Sequence, residues 1–146
     1  MDNYRKMDLD GRTIWDATTS GKCKIEYTEA QFDRVDGYMT GSTGTRSVFE
    51  IKRRNQTASQ YENDGYYLQE DKYQELKARK EDKGYDQALY INIFDDYVYV
   101  WRIDNVKPKF EKRRMTRSTA EHYRDEIVWK SVALLKKDDT IWKTKK

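Results

Sequence analysis

One cysteine and one histidine in 146 residues remove two chemistries at once. Cys23 has no partner for an intrachain disulfide, and Cys23 with His122 falls short of the four ligands of a common structural zinc site. Cys23 therefore reads as an ordinary small residue rather than a nucleophile. His122 has no visible partner and receives no catalytic role. No apolar run approaches the roughly 20 residues of a membrane span, so no membrane association is expected. The opening MDNYRKMDLDGR carries acidic residues and lacks the apolar core of a secretory signal, which makes a cytoplasmic, reducing location the expectation. The only proline, Pro108, marks a break after the central segment, and neither an internal repeat nor a low-complexity linker is present.

What the chain does have is aromatic and charged. A hydrophobic fraction of 36% would make a thin core without the 14% of aromatic residues, which bury large areas each. The length suits one domain over residues 1–146 with one modest core, and two would not fit. Lys and Arg number 29 against 26 Asp and Glu, so the net charge of +3 is a weak argument for nucleic acid. Any such argument rests on distribution: basic residues cluster at Lys52-Arg53-Arg54, at Lys112-Arg113-Arg114 with Arg117, and in the tail at Lys143, Lys145 and Lys146. A cluster taken alone is as readily a solvated face.

Periodicity divides the chain into elements. Residues up to about Gly21 permit a short helix through Leu9, Ile14 and Trp15. From Lys24 to Thr40 the pattern is extended, through Ile25, Tyr27, Phe32, Val35, Tyr38 and Met39, and GSTG then makes a turn. In Arg46 to Arg53, Phe49 and Ile51 fall on one face at period two, and Glu50 and Lys52 on the other. Tyr66 to Glu81 predicts an amphipathic helix with Leu68, Tyr73 and Leu76 on its apolar side and Gly84 as its stop. ALYINIF (88–94) and YVYVWRI (97–103), separated by Asp95-Asp96, predict a hairpin. Ser118 with Glu121 matches a capping box, followed by Tyr123, Ile127, Val128 and Leu134 at helical spacing, which predicts a C-terminal helix.

The order of a strand ending near Asp36-Gly37, a turn, a strand bearing Glu50-Ile51-Lys52, a helix and a further strand pair resembles the PD-(D/E)XK nucleases. The residues that carry the resemblance are Asp36 in FDRVDGYM and Glu50 and Lys52 in VFEIKRR, with thirteen residues between Asp36 and Glu50. The likeness spans about residues 31 to 103. It implies an α/β fold of restriction-endonuclease type, a central mixed β-sheet flanked by helices.

The resemblance also implies a chemistry. Hydrolysing a phosphodiester needs a hard cation held by carboxylate oxygens, a water activated beside it and a positive group on the developing charge. Asp36 and Glu50 would supply the oxygens, with the Ile51 backbone carbonyl as a further ligand, and Mg²⁺, replaceable by Mn²⁺, suits such a set. Lys52, two residues from Glu50 on the same side of a strand, would orient or deprotonate the water. Asp33 is the alternative to Asp36. Asp36 is preferred because Gly37 would let the backbone approach the metal. In the following helix Gln69, Glu70 and Lys72 are candidates for a supporting polar group, with Gln69 first. Arg53, Arg54, Arg113, Arg114 and Arg117 are candidate phosphate contacts. Tyr66, Tyr67, Trp101 and Trp129 serve either the core or base stacking.

The expected activity is a metal-dependent endonuclease acting on DNA. The small phage and archaeal Holliday junction resolvases, which the size resembles, imply branched substrates, a homodimer and the cytoplasm of a bacterium or phage-infected cell. A less specialised DNA nuclease is the neighbouring reading, in replication, recombination or host takeover. The alternative of another class is a non-catalytic nucleic-acid-binding module of the same fold.

Overall fold

In the computed structural model, which describes residues 3–29, 33–116 and 127–145, the elements run α1 (Asn3–Thr19), β1 (Cys23–Tyr27), β2 (Gly37–Gly41), β3 (Arg46–Arg53), α2 (Ala58–Asp64), β4 (Tyr66–Gln69), α3 (Glu70–Lys83), β5 (Gln87–Ile93), β6 (Tyr97–Arg102), β7 (Phe110–Thr116), β8 (Ile127–Leu135) and β9 (Trp142–Lys145). Six strands form a mixed sheet in the order β1-β2-β3-β5-β6-β9, in which β3 and β5 are the parallel pair. A smaller antiparallel sheet has the order β4-β8-β7. This is the expected central mixed sheet flanked by helices.

Alternation along β3 and β5 sends side chains to two different cores. Phe49, Ile51, Leu89, Ile91 and Ile93 face α1, where Trp15 is buried among them with Val98 and Val100. A Cβ at Gly11 of α1 would lie 3.0 Å from Ile51 Cγ2, so glycine is what allows the helix to sit this close to β3. On the other face Val48, Tyr90, Tyr99 and Trp101 pack against Leu68, Leu76 and Leu135, which belong to β4, α3 and β8. Full burial of side chains of this size stabilises by about 1.5–3 kcal/mol each. The indole N–H of Trp101 is satisfied by the Lys136 carbonyl at 2.8 Å.

The 88–94 and 97–103 runs form the expected hairpin, closed by Phe94 N–H donating to the Tyr97 carbonyl at 2.8 Å. Gly84 caps α3 in the left-handed conformation, φ 66°. Three expectations are corrected. The extended stretch from Lys24 to Thr40, with Asp36 near the end of a strand, holds two antiparallel strands, β1 and β2, and Asp36 immediately precedes the second. The helix expected from Tyr66 begins only at Glu70, because Tyr66 and Leu68 alternate into the core and pair with β8 as strand β4. The expected C-terminal helix is absent from the described residues: 127–135 form β8, hydrogen-bonded to β7 on one side and β4 on the other. Its run Ile-Val-Trp-Lys-Ser-Val-Ala-Leu-Leu favours a strand between two partners over a helix of the same residues. The capping pair Ser118 and Glu121, together with Phe32, Tyr123 and His122, lies outside the described residues.

Candidate active site

The arrangement begins where β2 runs out beside β3. Gly37 pairs with Phe49, and the Asp36 N–H donates to the Phe49 carbonyl at 3.0 Å. One step further along β3, the Ile51 N–H has no strand partner on that side among the described residues and donates instead to Asp36 Oδ2 at 2.7 Å. Asp36 thus continues the ladder with its side chain. Because both backbone groups of a strand residue point the same way, the Ile51 carbonyl shares this edge with the Asp36 carboxylate.

Glu50 projects from the opposite face of Ile51 and is buried. Burial and then the charge of Asp36 push its carboxyl up from an ordinary 4.5 to about 7, against the opposing pull of Lys52 and Lys72. Lys52 Nζ lies 3.6 Å from Glu50 Oε1, and Lys72 Nζ lies 3.2 Å from Glu50 Oε2. Desolvation is the largest single influence on Lys52 and works against its charge, but Glu50, Tyr90 and Asp36 together outweigh it and the ammonium is held above its usual range. The Lys52 side chain is 43% exposed, so its charge is open to an incoming anion.

Lys72 is anchored by more than Glu50. Its Nζ donates to the Arg34 carbonyl at 2.6 Å and stands 3.5 Å from Glu75 Oε2. Of the three helix candidates, it is Lys72 that meets Glu50. Gln69 sits at the N-cap of α3 without a side-chain capping bond, and Glu70 accepts from Ser131 Oγ at 2.9 Å.

Asp33 and Asp36 have different partners. Asp33 forms a two-pronged ion pair with Arg79, at 2.9 and 3.0 Å, and accepts from the Val35 N–H. The Arg79 hydrogen bonds hold the Asp33 carboxyl below its usual range. Asp36 is the carboxylate that acts on Glu50. The adjacent Gly37 has a packing reason rather than a metal-approach reason: a Cβ there would lie 2.6 Å from the Glu26 carbonyl and 2.8 Å from Phe49 Cζ.

The candidate phosphate contacts part company. Arg53 points to the α1 side, where it pairs with Asp10 and Asp95, both at 3.0 Å. Arg54 lies on the Glu50 side and donates to Asn92 Oδ1 at 3.3 Å and Tyr90 Oη at 3.2 Å, with its guanidinium over the Tyr61 ring. Arg113 and Arg114 are exposed on β7, where Arg113 donates to Tyr67 Oη, and Arg117 lies outside the described residues. Among the stacking candidates Tyr66 and Trp101 are core, whereas Trp129 is 67% exposed.

Three residues near the site escaped the sequence reading. Arg12 of α1 places Nη2 3.5 Å from Asp36 Oδ1 and donates through Nη1 to the Thr28 carbonyl. Tyr90 and Asn92 stand opposite Glu50 and Lys52 in the β3–β5 register. Asn92 is buried, and its Nδ2 has no hydrogen-bond partner among the described residues. A lone amide inside the apolar run ALYINIF is the signal that could have found it.

The donor set suits a hard divalent cation of the Mg²⁺ type. Two carboxylates close enough for one to raise the other, and a backbone carbonyl on the same edge, are all oxygen donors. Two carboxylates suffice for an ion that keeps several of its waters.

Compared with protein-family models and with curated proteins, the sequence matches none. Among solved structures the fold is similar to that of Archaeoglobus fulgidus Hjc, a Holliday junction resolvase from an archaeal hyperthermophile, with a TM-score of 0.54 at 11% identity, over 86% of this chain and 87% of that one.

Proposed function

We propose that this chain is a metal-dependent endonuclease that hydrolyses DNA phosphodiester bonds, with branched DNA such as four-way junctions as its substrate class. The observation that carries the reading is Glu50: a buried carboxylate raised to about 7, beside Asp36 and between the ammonium groups of Lys52 and Lys72. Burying an acid in this way costs stability, and groups shifted so far by burial and a neighbouring charge cluster at functional sites. The fold likeness to a junction resolvase supports the choice of substrate.

Asp36, Glu50 and the Ile51 carbonyl would hold Mg²⁺, or Mn²⁺ in its place. When bound, such an ion neutralises phosphate charge and makes a coordinated water more acidic. Lys52, whose ammonium is held above its usual range by its neighbours, is placed to donate hydrogen bonds to a phosphate oxygen or to the attacking water. As the water oxygen bonds to phosphorus, its proton leaving to solvent, and the P–O bond to the departing strand breaks, with the departing oxygen taking a proton from solvent, that positive charge faces the growing negative charge on the phosphoryl oxygens. Arg54, on the same side of the sheet, is placed to take a neighbouring phosphate. Lys72 orients Glu50 from the helix side. A homodimer on a symmetric junction completes the proposal.

The substrate assignment is tested by comparing cleavage of a labelled four-way junction, a matched duplex and a single strand in Mg²⁺. Faster cutting of the junction supports it, and equal cutting of all three reduces the proposal to a general DNA nuclease.

A further inference from the structure

Strand β4 stops at Gln69 opposite Val132, whereas β7 and β8 continue to pair as far as Thr116 and Ile127. From Val132 toward Ile127 the β8 strand therefore has β7 as its one sheet neighbour among the described residues, and the two make a two-stranded ribbon. Directly opposed residues share a face, which puts Lys112 with Ser131 and Arg114 with Trp129 on one side. The root of that side is core: Phe110 packs on Tyr73, and its partner Ala133 is buried.

Going outward, the same face changes character. Ser131 Oγ donates to Glu70 at the first residue of α3, two positions before the Lys72 that reaches Glu50. Next come Lys112 and Arg114, both exposed and without an ion-pair partner among the described residues, and Trp129 at 67% exposure. On the opposite face Arg113 is engaged within the chain, standing 3.8 Å from Glu111 and donating to Tyr67 Oη. A large indole left in water beside unpaired cations has no packing role among the described residues. Its chemistry fits a partner that offers a flat ring and a phosphate together.

We infer that this ribbon face binds an unpaired stretch of DNA, with the Trp129 indole stacked on a base and Arg114 and Lys112 against the adjoining phosphates. The inference rests on the reading of this protein as DNA-directed, but not on catalysis. Stacking requires a base whose face is free, which a continuous duplex does not offer and a single strand or an open branch point does. The Ser131–Glu70 bond ties the root of the face to the helix of the candidate site, so a strand held on the ribbon is delivered toward Glu50.

The test is equilibrium binding of the full chain in EDTA to a labelled short oligodeoxynucleotide, to its blunt duplex, and to the same strand as RNA. Trp129→Ala is expected to lower single-strand affinity about tenfold and duplex affinity less than about twofold, with Trp129→Phe restoring most of the loss. Arg114→Ala should weaken both and reduce the salt slope by about 1. Trp129 fluorescence should be quenched by the single strand. Because the side chain is exposed, the variants keep the native melting temperature. Equal single-strand affinity of native and Trp129→Ala, an equal loss on duplex, or tighter binding of RNA would each overturn the inference while leaving the nuclease reading standing. Binding with the expected Trp129 dependence but no metal-dependent cleavage would sink the catalytic reading alone.

Discussion

Lys72 Nζ lies 3.2 Å from Glu50 Oε2 and 2.6 Å from the Arg34 carbonyl, so one ammonium joins α3, β3 and the segment leading into β2. Replacing Lys72 with Met removes this link and one of the two cations lowering the Glu50 pKa. The Glu50 pKa should rise further. The variant should lose about 1–3 kcal/mol at pH 8, where Glu50 is ionised, and much less at pH 5, where it is protonated. Urea denaturation at the two pH values measures the difference, and an equal loss at both would contradict the link.

Glu50 also sets a pH dependence of its own. Its carboxyl is raised from 4.5 to about 7 in the folded chain, so the folded state binds the proton more tightly. The resulting stability is complete below 4.5 and is lost as pH rises through 7. Glu50→Gln should match the native chain near pH 4 and exceed it at pH 8 by up to about 3 kcal/mol in the absence of metal. Melting curves across this range test the sign. Mg²⁺ should then stabilise the native chain at pH 8 and leave Glu50→Gln unmoved.

The two aspartates are separable by substitution. Asp33→Asn loosens the pairing with Arg79, on a partly exposed site, and should cost about 1 kcal/mol at neutral pH with cleavage within about twofold of native. That contribution is present above the ordinary carboxylate pKa and disappears as acid protonates Asp33 in the native chain. Asp36→Asn should keep most of the stability and lose the cleavage. The reverse pattern would move the metal-holding role to Asp33.

Gly37 offers a structural control. A methyl group there collides with the Glu26 carbonyl and the Phe49 ring, neither of which can withdraw without moving β1 or β3. Gly37→Ala should destabilise the fold by about 2–4 kcal/mol, read from the urea midpoint. An unchanged midpoint would mean that β2 does not lie as described.

Legibility in the sequence followed how local the determining physics was. The alternation of Phe49 and Ile51 against Glu50 and Lys52, the 88–103 hairpin and the Gly84 stop are set by neighbours in sequence, and all three were readable. Strand β8 was not, because its state depends on β4 and β7, which lie more than 10 residues away in the chain on either count. The helix α2 carried a readable Thr57–Gln60 capping box that was overlooked. Within the site, the Glu50–Lys52 side could be placed from strand geometry alone. The pairing of Asp33 with Arg79, which folds back from α3, was not readable from sequence neighbours, and Arg12 and Lys72 reach the carboxylates only through helix packing on the two faces of the sheet.

The central claim is that Asp36, Glu50 and Lys52 form a metal-dependent DNA-cutting site. The most direct measurement is cleavage of a labelled four-way junction by the native chain, Glu50→Gln and Lys52→Ala, each with Mg²⁺, Mn²⁺ or EDTA. The account predicts cutting by the native chain with either metal, none in EDTA, and a loss of at least about a hundredfold in both variants while both stay folded and bind DNA. Cutting that survives Glu50→Gln, or a native chain that binds the junction yet leaves it intact with every metal, would contradict it.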